Sequence, residues 1–407
     1  MASYAYVATG LAYRAFPFLI LPWLTSVLTV EEYARLGLYL TFVAVGSTIV
    51  GLKPEVYLLM RVGDLGDYQR FCREGVLQSV LLLALATTLI FIAVSEVFVR
   101  LYFSGYGLPA YYTGVAGLHC LLLCCYRSSL ACLQGFRQVN AYVYLECFLI
   151  AVSLIFIVIW VSEWGIWEGR VLGELLALSA TLAILVYRSL KLRSLMSISP
   201  RALFRSLRHT LVFLSPLLGH ALAFVLIGMV IRALVVSELG LTEGGVFILA
   251  ATVASIVSFS HEALMRAWNP FYYDNIRDVK NIQSIRLMQL RYSAGSVILF
   301  LGFLVFVNWG FDVFFSKKYG EAKMLAAWLG FAYTLEGLRK VLASYIYVSG
   351  KRYLISVISF VGVVVSIFVF QSLVSLGALA GALAMCSAFG FTLLATIIVR
   401  LFISQKP

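Results

Sequence analysis

Apolar runs of helical length follow one another along almost the whole chain, and they leave few architectures open. Crossing the roughly 30 Å hydrocarbon core of a bilayer takes about 20 apolar residues as a helix. Runs of that kind lie near residues 4–28, 36–60, 76–99, 112–134, 141–161 and 171–188. Six more lie near 210–236, 244–266, 289–311, 324–348, 353–374 and 378–400. A membrane β-barrel is excluded, because its strands are roughly ten residues of alternating polarity. A water-soluble fold is excluded as well. With 62% hydrophobic and 12% charged residues, the 407-residue chain has too little polar surface to cover a soluble core. The expected fold is an all-α polytopic membrane protein of about twelve transmembrane helices.

A weak internal repeat organises these runs. Ser26, Leu28, Val30 and Glu32 of SVLTVEE correspond to Ser237, Leu239, Leu241 and Glu243 of SELGLTE, each set lying between two long apolar runs. Two parallel copies of one helical bundle leave such a trace in transporters. The expected organisation is a six-helix bundle over residues 1–190, a basic cytoplasmic linker over 191–209, and a second six-helix bundle over 210–407.

Charge sets the orientation, since Lys and Arg of short loops stay on the cytoplasmic side. Alternate loops carry Arg61, Arg70 and Arg73; Arg137; Arg188, Lys191, Arg193, Arg201, Arg205 and Arg208; Arg266, Arg277, Lys280, Arg286 and Arg291; and Lys351 with Arg352. The loops between them carry far fewer, among them Arg35, Arg100, Arg170, Lys317, Lys318 and Lys323. Both termini are therefore expected in the cytoplasm. The first run does not read as a cleaved signal, because Met1 to Tyr13 has no charged side chain and Pro17 and Pro22 interrupt the apolar stretch. The net charge of +12 is spread over many loops. That distribution suits membrane lipids as partners and gives no reason to expect nucleic acid.

Seven cysteines, an odd number and nearly all within apolar runs, argue against a disulfide framework. His119, Cys120, Cys124 and Cys125 sit on one helix, but no second group of ligands accompanies them, so packing is the stronger reading and no metal or cofactor is expected. No outer loop exceeds about a dozen residues, which leaves no room there for a catalytic domain. Trp160, Trp164 and Trp167 read as an interfacial belt.

The candidate functional residues are cations at depth in the apolar runs, where burial costs roughly 2.5–3.5 kcal/mol on insertion scales. They are Arg14, Lys53, Arg127, Arg232, Arg339 and Lys340. Glu55 and Glu336 are the central carboxylates, with Glu146, Glu174 and Glu262 nearer the ends of their runs. This surplus predicts a net cationic interior suited to an anionic ligand, for which guanidinium groups offer paired hydrogen bonds. Three of the cations have a plainer reading. Lys53 has enough methylenes to snorkel to the interface, and Arg339 and Lys340 stand three and four residues after Glu336, within ion-pair reach on one helix face. Arg14 has neither. Pro17, Pro22, Pro54 and Pro216 are candidate hinges or static irregularities. His220 and His261 are candidate titrating groups, against the plainer reading of one satisfied hydrogen bond each.

Three stretches resemble a known family. FPFLILPWLTSVLTVEEYARLGLY is similar to the opening of polysaccharide-export flippases. IRALVVSELGLTEGGVFILA followed by AWNPFYYDN is similar to their seventh and eighth spans, and FFSKKYGEAKMLAAWLGFAYTLEGLRKVLASYIYVSGKR to their ninth-to-eleventh span region. In order and spacing the chain resembles the Wzx-type O-antigen flippases of the multidrug/oligosaccharidyl-lipid/polysaccharide (MOP) exporter superfamily. The resemblance implies the MOP exporter fold, the bacterial inner membrane, and alternating-access transfer of an undecaprenyl-diphosphate-linked glycan. Other polysaccharide-assembly proteins are implied as further partners. One departure stands out: the family usually carries an Asp-Arg pair on the seventh span, whereas Ile231 precedes Arg232 here.

On this reading Arg14, Lys53, Arg127, Arg232, Arg339 and Lys340 bind substrate, and Glu336 and Glu55 couple transport to an ion. The alternatives are a drug or cation exporter of the same superfamily, for which acidic cavity residues are expected, and a membrane polysaccharide polymerase, which needs a larger outer loop than SGYGLPAYY.

Overall fold

The computed structural model describes residues 2–65, 71, 74–102, 111–190, 199–276, 282–349, 351 and 353–404. A few side chains inside helices, including those of Arg14, Pro216 and His220, also lie outside the described residues. Everything described is helix or short connection. In hydrocarbon every backbone N–H and C=O needs a partner within its own segment, which leaves helices as the spanning element.

Helix α1 covers Ala2–Val27, α2 Val30–Ile49, α3 Glu55–Leu65, α4 Val76–Tyr102, α5 Tyr112–Gly135, α6 Val139–Trp164 and α7 Trp167–Leu190. There follow α8 over Pro200–Asn275, α9 over Ile282–Val305, the short α10 over Phe311–Phe314, α11 over Ala322–Val348, α12 over Tyr353–Leu373 and α13 over Ala378–Ser404. Nine helices among the described residues are long and apolar enough to cross a membrane. The chain is a multi-pass membrane protein. Helix α11, the expected tenth span, forms over its full length but carries Glu336, Arg339 and Lys340 and falls outside that set. Leu89, Ile298 and Phe368 are among the large apolar side chains that point outward, as the lipid-facing surface of a bundle requires.

Several of the expected spans depart from plain helices. The second breaks between α2 and α3: Gly51 (φ 68°), Leu52 (φ 57°) and Lys53 (φ 56°) are all left-handed. For a residue with a Cβ that conformation costs roughly 1–2 kcal/mol. Pro54, the sequence candidate for this kink, follows the break. Neighbouring helices hold it: Thr87 Oγ1 accepts the Gly51 N–H at 3.0 Å, and a Cβ at position 51 would stand 2.5 Å from Cys124 Sγ. The seventh and eighth spans run together as α8, divided at Gly240 (φ 89°, ψ 176°), a conformation reserved for glycine. This is the SELGLTE turn. Helix α1, by contrast, continues through Pro17 and Pro22.

The chain forms two compact units, residues 1–222 and 223–407, with the seam inside α8. The start of α8 belongs with the first unit because Ser79 Oγ on α4 hydrogen-bonds Ser206 Oγ (3.0 Å) and Thr210 Oγ1 (3.2 Å). Within each unit the same helices pack together. The fifth span lies against the sixth in unit 1 (α6 on α7) and the eleventh against the twelfth in unit 2 (α12 on α13). The fourth and tenth likewise pack on the sixth and twelfth.

Candidate functional site

Among the described residues, an ionic group lies inside each unit. In unit 1 the first turns of α7 bring Arg170 and Glu174 onto one face, with Arg170 Nη1 2.9 Å from Glu174 Oε2. Arg170 is only 4% exposed, and its guanidinium lies 6.0 Å from the Phe16 ring on α1. The sequence places Arg170 in an outer loop; the structure buries it, because a carboxylate one helical turn later supplies its counter-charge. On α5, His119 Nδ1 is 3.2 Å from Tyr39 Oη, and Arg127 is half-buried two turns further on. Glu174 lies within electrostatic reach of Arg170, His119 and Arg127. Glu146 on α6 is buried and accepts a hydrogen bond from Tyr142 at 3.2 Å. Tyr13 on α1 feels Glu174, Arg127, Arg170 and Glu146 together, so four helices converge there.

Of the residues singled out in unit 1, Arg127 belongs to this group. Arg14 adjoins Tyr13 in sequence, but its side chain lies outside the described residues. Lys53 is exposed at the break of the second span, and Glu55 is half-buried at the start of α3, within electrostatic reach of Cys124. Arg170 and Glu174 are additions. Their four-residue spacing at the head of an apolar helix was the available signal. Cys120 and Cys124 serve packing: Cys120 donates to the Val43 carbonyl at 3.5 Å, and Cβ atoms at Gly46 and Gly51 would collide with the two sulfurs.

In unit 2, α8 and α11 bring together four of the predicted residues. Arg339 and Glu336 are 2% and 1% exposed and form a bidentate pair, Nε to Oε2 at 2.6 Å and Nη2 to Oε1 at 2.7 Å. The remaining Arg339 Nη1 is buried with no hydrogen-bond partner among the described residues. Tyr333, one turn before Glu336, accepts a hydrogen bond from Arg232 of α8. Lys340 is half-buried next to Arg339.

His261 packs its ring against Gly337, where a Cβ would stand 1.9 Å from the imidazole. Its Nδ1 donates to the Val257 carbonyl at 2.8 Å. The other nitrogen, Nε2, is thereby left as a buried acceptor with no partner among the described residues. Both Glu336 and Lys340 lie within electrostatic reach of this ring. The cluster can hold anionic groups through Arg232, Lys340 and the spare Arg339 nitrogen, and it contains a carboxylate and an imidazole able to exchange protons.

Solved structures similar to this chain in fold include transporters. An inward-facing multidrug resistance MATE family transporter of the MOP superfamily superposes with a TM-score of 0.71 at 14% identity, covering 96% of this chain and 94% of that one. The chain has the MOP exporter fold. An outward-facing MATE family transporter gives 0.63 at 13% identity, covering 98% and 93%. A MOP superfamily transporter from Pyrococcus furiosus, described as having a binding pocket of reverse polarity, gives 0.60 at 13% identity, covering 97% and 93%. In sequence, Lsg locus putative protein 1 of Haemophilus influenzae is 23% identical over 291 residues, 68% of this chain and 67% of its own length. No family model matches the chain.

Proposed function

We infer that the protein is a flippase and not an enzyme. It moves an undecaprenyl-diphosphate-linked oligosaccharide repeat unit across the bacterial inner membrane by alternating access, for O-antigen or a related polysaccharide. The observation that carries this reading is that two helices of unit 2 set Arg232, hydrogen-bonded to Tyr333, one helical turn from the Glu336–Arg339 pair and the adjoining Lys340. A pyrophosphate supplies the missing negative charge and matches guanidinium geometry. The MOP fold supports the transport half of the reading, and the resemblance of the sequence to Wzx-type flippases supports the substrate. Arg14, Lys53 and Arg127 are assigned to the substrate from unit 1, Glu336 and Glu55 to ion coupling, and both termini to the cytoplasm.

A drug or cation exporter of the same fold is the second reading, favoured by Glu146 and Glu174 inside unit 1 and by the multidrug transporters that share the fold. Expression in a bacterium lacking its own flippase separates the two. Surface glycan should return with the wild-type chain, be lost with Arg14→Ala at unchanged protein abundance, and return in part with Arg14→Lys. Absence of glycan with the wild-type chain, together with efflux of cationic dyes, would establish the exporter instead.

A further inference from the structure

The first turns of α8 carry three arginines that belong to neither ionic group. Ser206 and Thr210, both buried, hydrogen-bond Ser79 of α4, and Leu207, Phe213 and Leu214 pack in the core of unit 1 with Leu58, Val76 and Val80. These contacts fix which face of the helix looks outward. That face holds Arg201, Phe204, Arg205, Arg208 and Val212, all exposed, Phe204 by 71% and Val212 by 68%. At roughly 3.6 residues per turn the five lie within about 100° of one another around the helix.

Two features of this face select its partner. The first is uncompensated charge. No Asp or Glu occurs in the sequence between Glu174 and Glu238, and Arg201, Arg205 and Arg208 form no salt bridge among the described residues. Arg35, Arg61 and Arg100, by contrast, pair with Glu32, Glu74 and Glu96. Three like charges in successive turns of one helix face repel one another unless an anionic surface lies against them. The second feature is apolar. Phe204 stands among the arginines, and Val212 follows Arg208 by one turn, where the seventh apolar run begins. Water and dissolved anions offer nothing to these two side chains, whereas a bilayer offers phosphates to the guanidinium groups and acyl chains to Phe204 and Val212.

We propose that this face of α8 is a docking surface for anionic phospholipid headgroups. Each guanidinium offers a phosphate paired N–H donors, while Phe204 enters the upper acyl region and holds the arginines at headgroup depth. Loop charge orients a chain during insertion; here the same arginines keep a lipid contact in the folded protein. Unit 1 on one face and lipid on the other then fix the start of α8 at the membrane surface. The assignment is independent of what the protein transports.

The test is native mass spectrometry of the purified full chain offered equal amounts of phosphatidylglycerol and phosphatidylethanolamine. Wild type should retain the anionic lipid in preference, and Arg201→Gln, Arg205→Gln and Arg208→Gln should each weaken that retention about fivefold. Single changes leave two arginines in place, so insertion and folding are preserved. Phe204→Ser should weaken retention with the charge unchanged, which bulk attraction to a basic surface would not give. Changing the exposed Arg286 and Arg291 of α9 to Gln should leave it as it was. Equal retention of the two lipids by wild type, retention unchanged in the three arginine variants, or an equal loss in the α9 variant would overturn the proposal. So would displacement of the retained lipid by inorganic phosphate, since that would assign the arginines to a free anion.

Discussion

The Glu32 carboxylate accepts a hydrogen bond from the backbone N–H of Trp167 at 3.0 Å, and Glu243 stands in the same relation to Ala378 at 3.2 Å. Residue 243 is 211 beyond residue 32, and 378 is 211 beyond 167. The carboxylates cap the first turns of α7 and α13, the sixth and twelfth spans, where N–H groups lack intrahelical partners and the helix dipole favours negative charge. A left-handed glycine, Gly165 or Gly377 (both φ 63°), precedes the capped helix in each copy. The faint sequence repeat is therefore a repeat of a specific tie between spans.

Removing either tie should destabilise the protein. Glu32→Ala and Glu243→Ala are each expected to cost about 1 kcal/mol, the usual loss for a helix cap. Glu32→Ala should cost more, because Arg35 also loses its partner. Glu32→Gln, which keeps an acceptor oxygen, should cost less. Thermal unfolding of the purified variants in detergent reads the order.

The Glu336–Arg339 pair should be more sensitive. Glu336→Gln leaves a guanidinium buried without its counter-charge, a loss of roughly 3–5 kcal/mol, whereas Glu336→Gln with Arg339→Met should recover most of it. If Glu336 couples transport to protons, Glu336→Gln alone should still bind substrate but lose the response of transport to an imposed pH gradient. An unchanged pH response in that variant would make the pair purely structural.

Gly337 and His261 should behave as one unit. Gly337→Ala places a Cβ inside the imidazole ring and should cost about 1–3 kcal/mol. In a His261→Ala background the same change should be nearly neutral, and a double-mutant cycle on melting temperatures measures the difference.

At the break in the second span, conformation and function should separate. Lys53→Gly relieves a left-handed residue that carries a Cβ and should raise stability by up to about 1 kcal/mol, while lowering transport if the ammonium meets substrate. Thr87→Val orphans the Gly51 N–H and should lower stability by about 1–3 kcal/mol.

Topology reporters fused at residues 195 and 275 should report the cytoplasm, and those at 165 and 318 the periplasm. One inverted loop would reverse the sidedness assigned to every later span.

The helices were legible in the sequence because a bilayer makes each spanning segment satisfy its own backbone, so length and apolarity suffice to find them. The repeat was legible at Glu32 and Glu243, and the unit 2 cluster was half legible, since Glu336 and Arg339 are neighbours on one helix face. What these residues meet was decided by tertiary structure. Trp167 and Ala378 lie 135 residues beyond the carboxylates that cap them, and no local pattern joins them. Arg170 read as a loop cation, but it is buried through its pairing with Glu174 and its packing over Phe16 of another helix. Pro54 marked the disturbed region of the second span. The left-handed run itself depends on a Thr87 hydroxyl and a Cys124 sulfur from the third and fourth spans. Helix formation is a local bargain between a segment and lipid. Burial of charge and backbone strain are settled by neighbours distant in sequence, and those exist only in the assembled bundle.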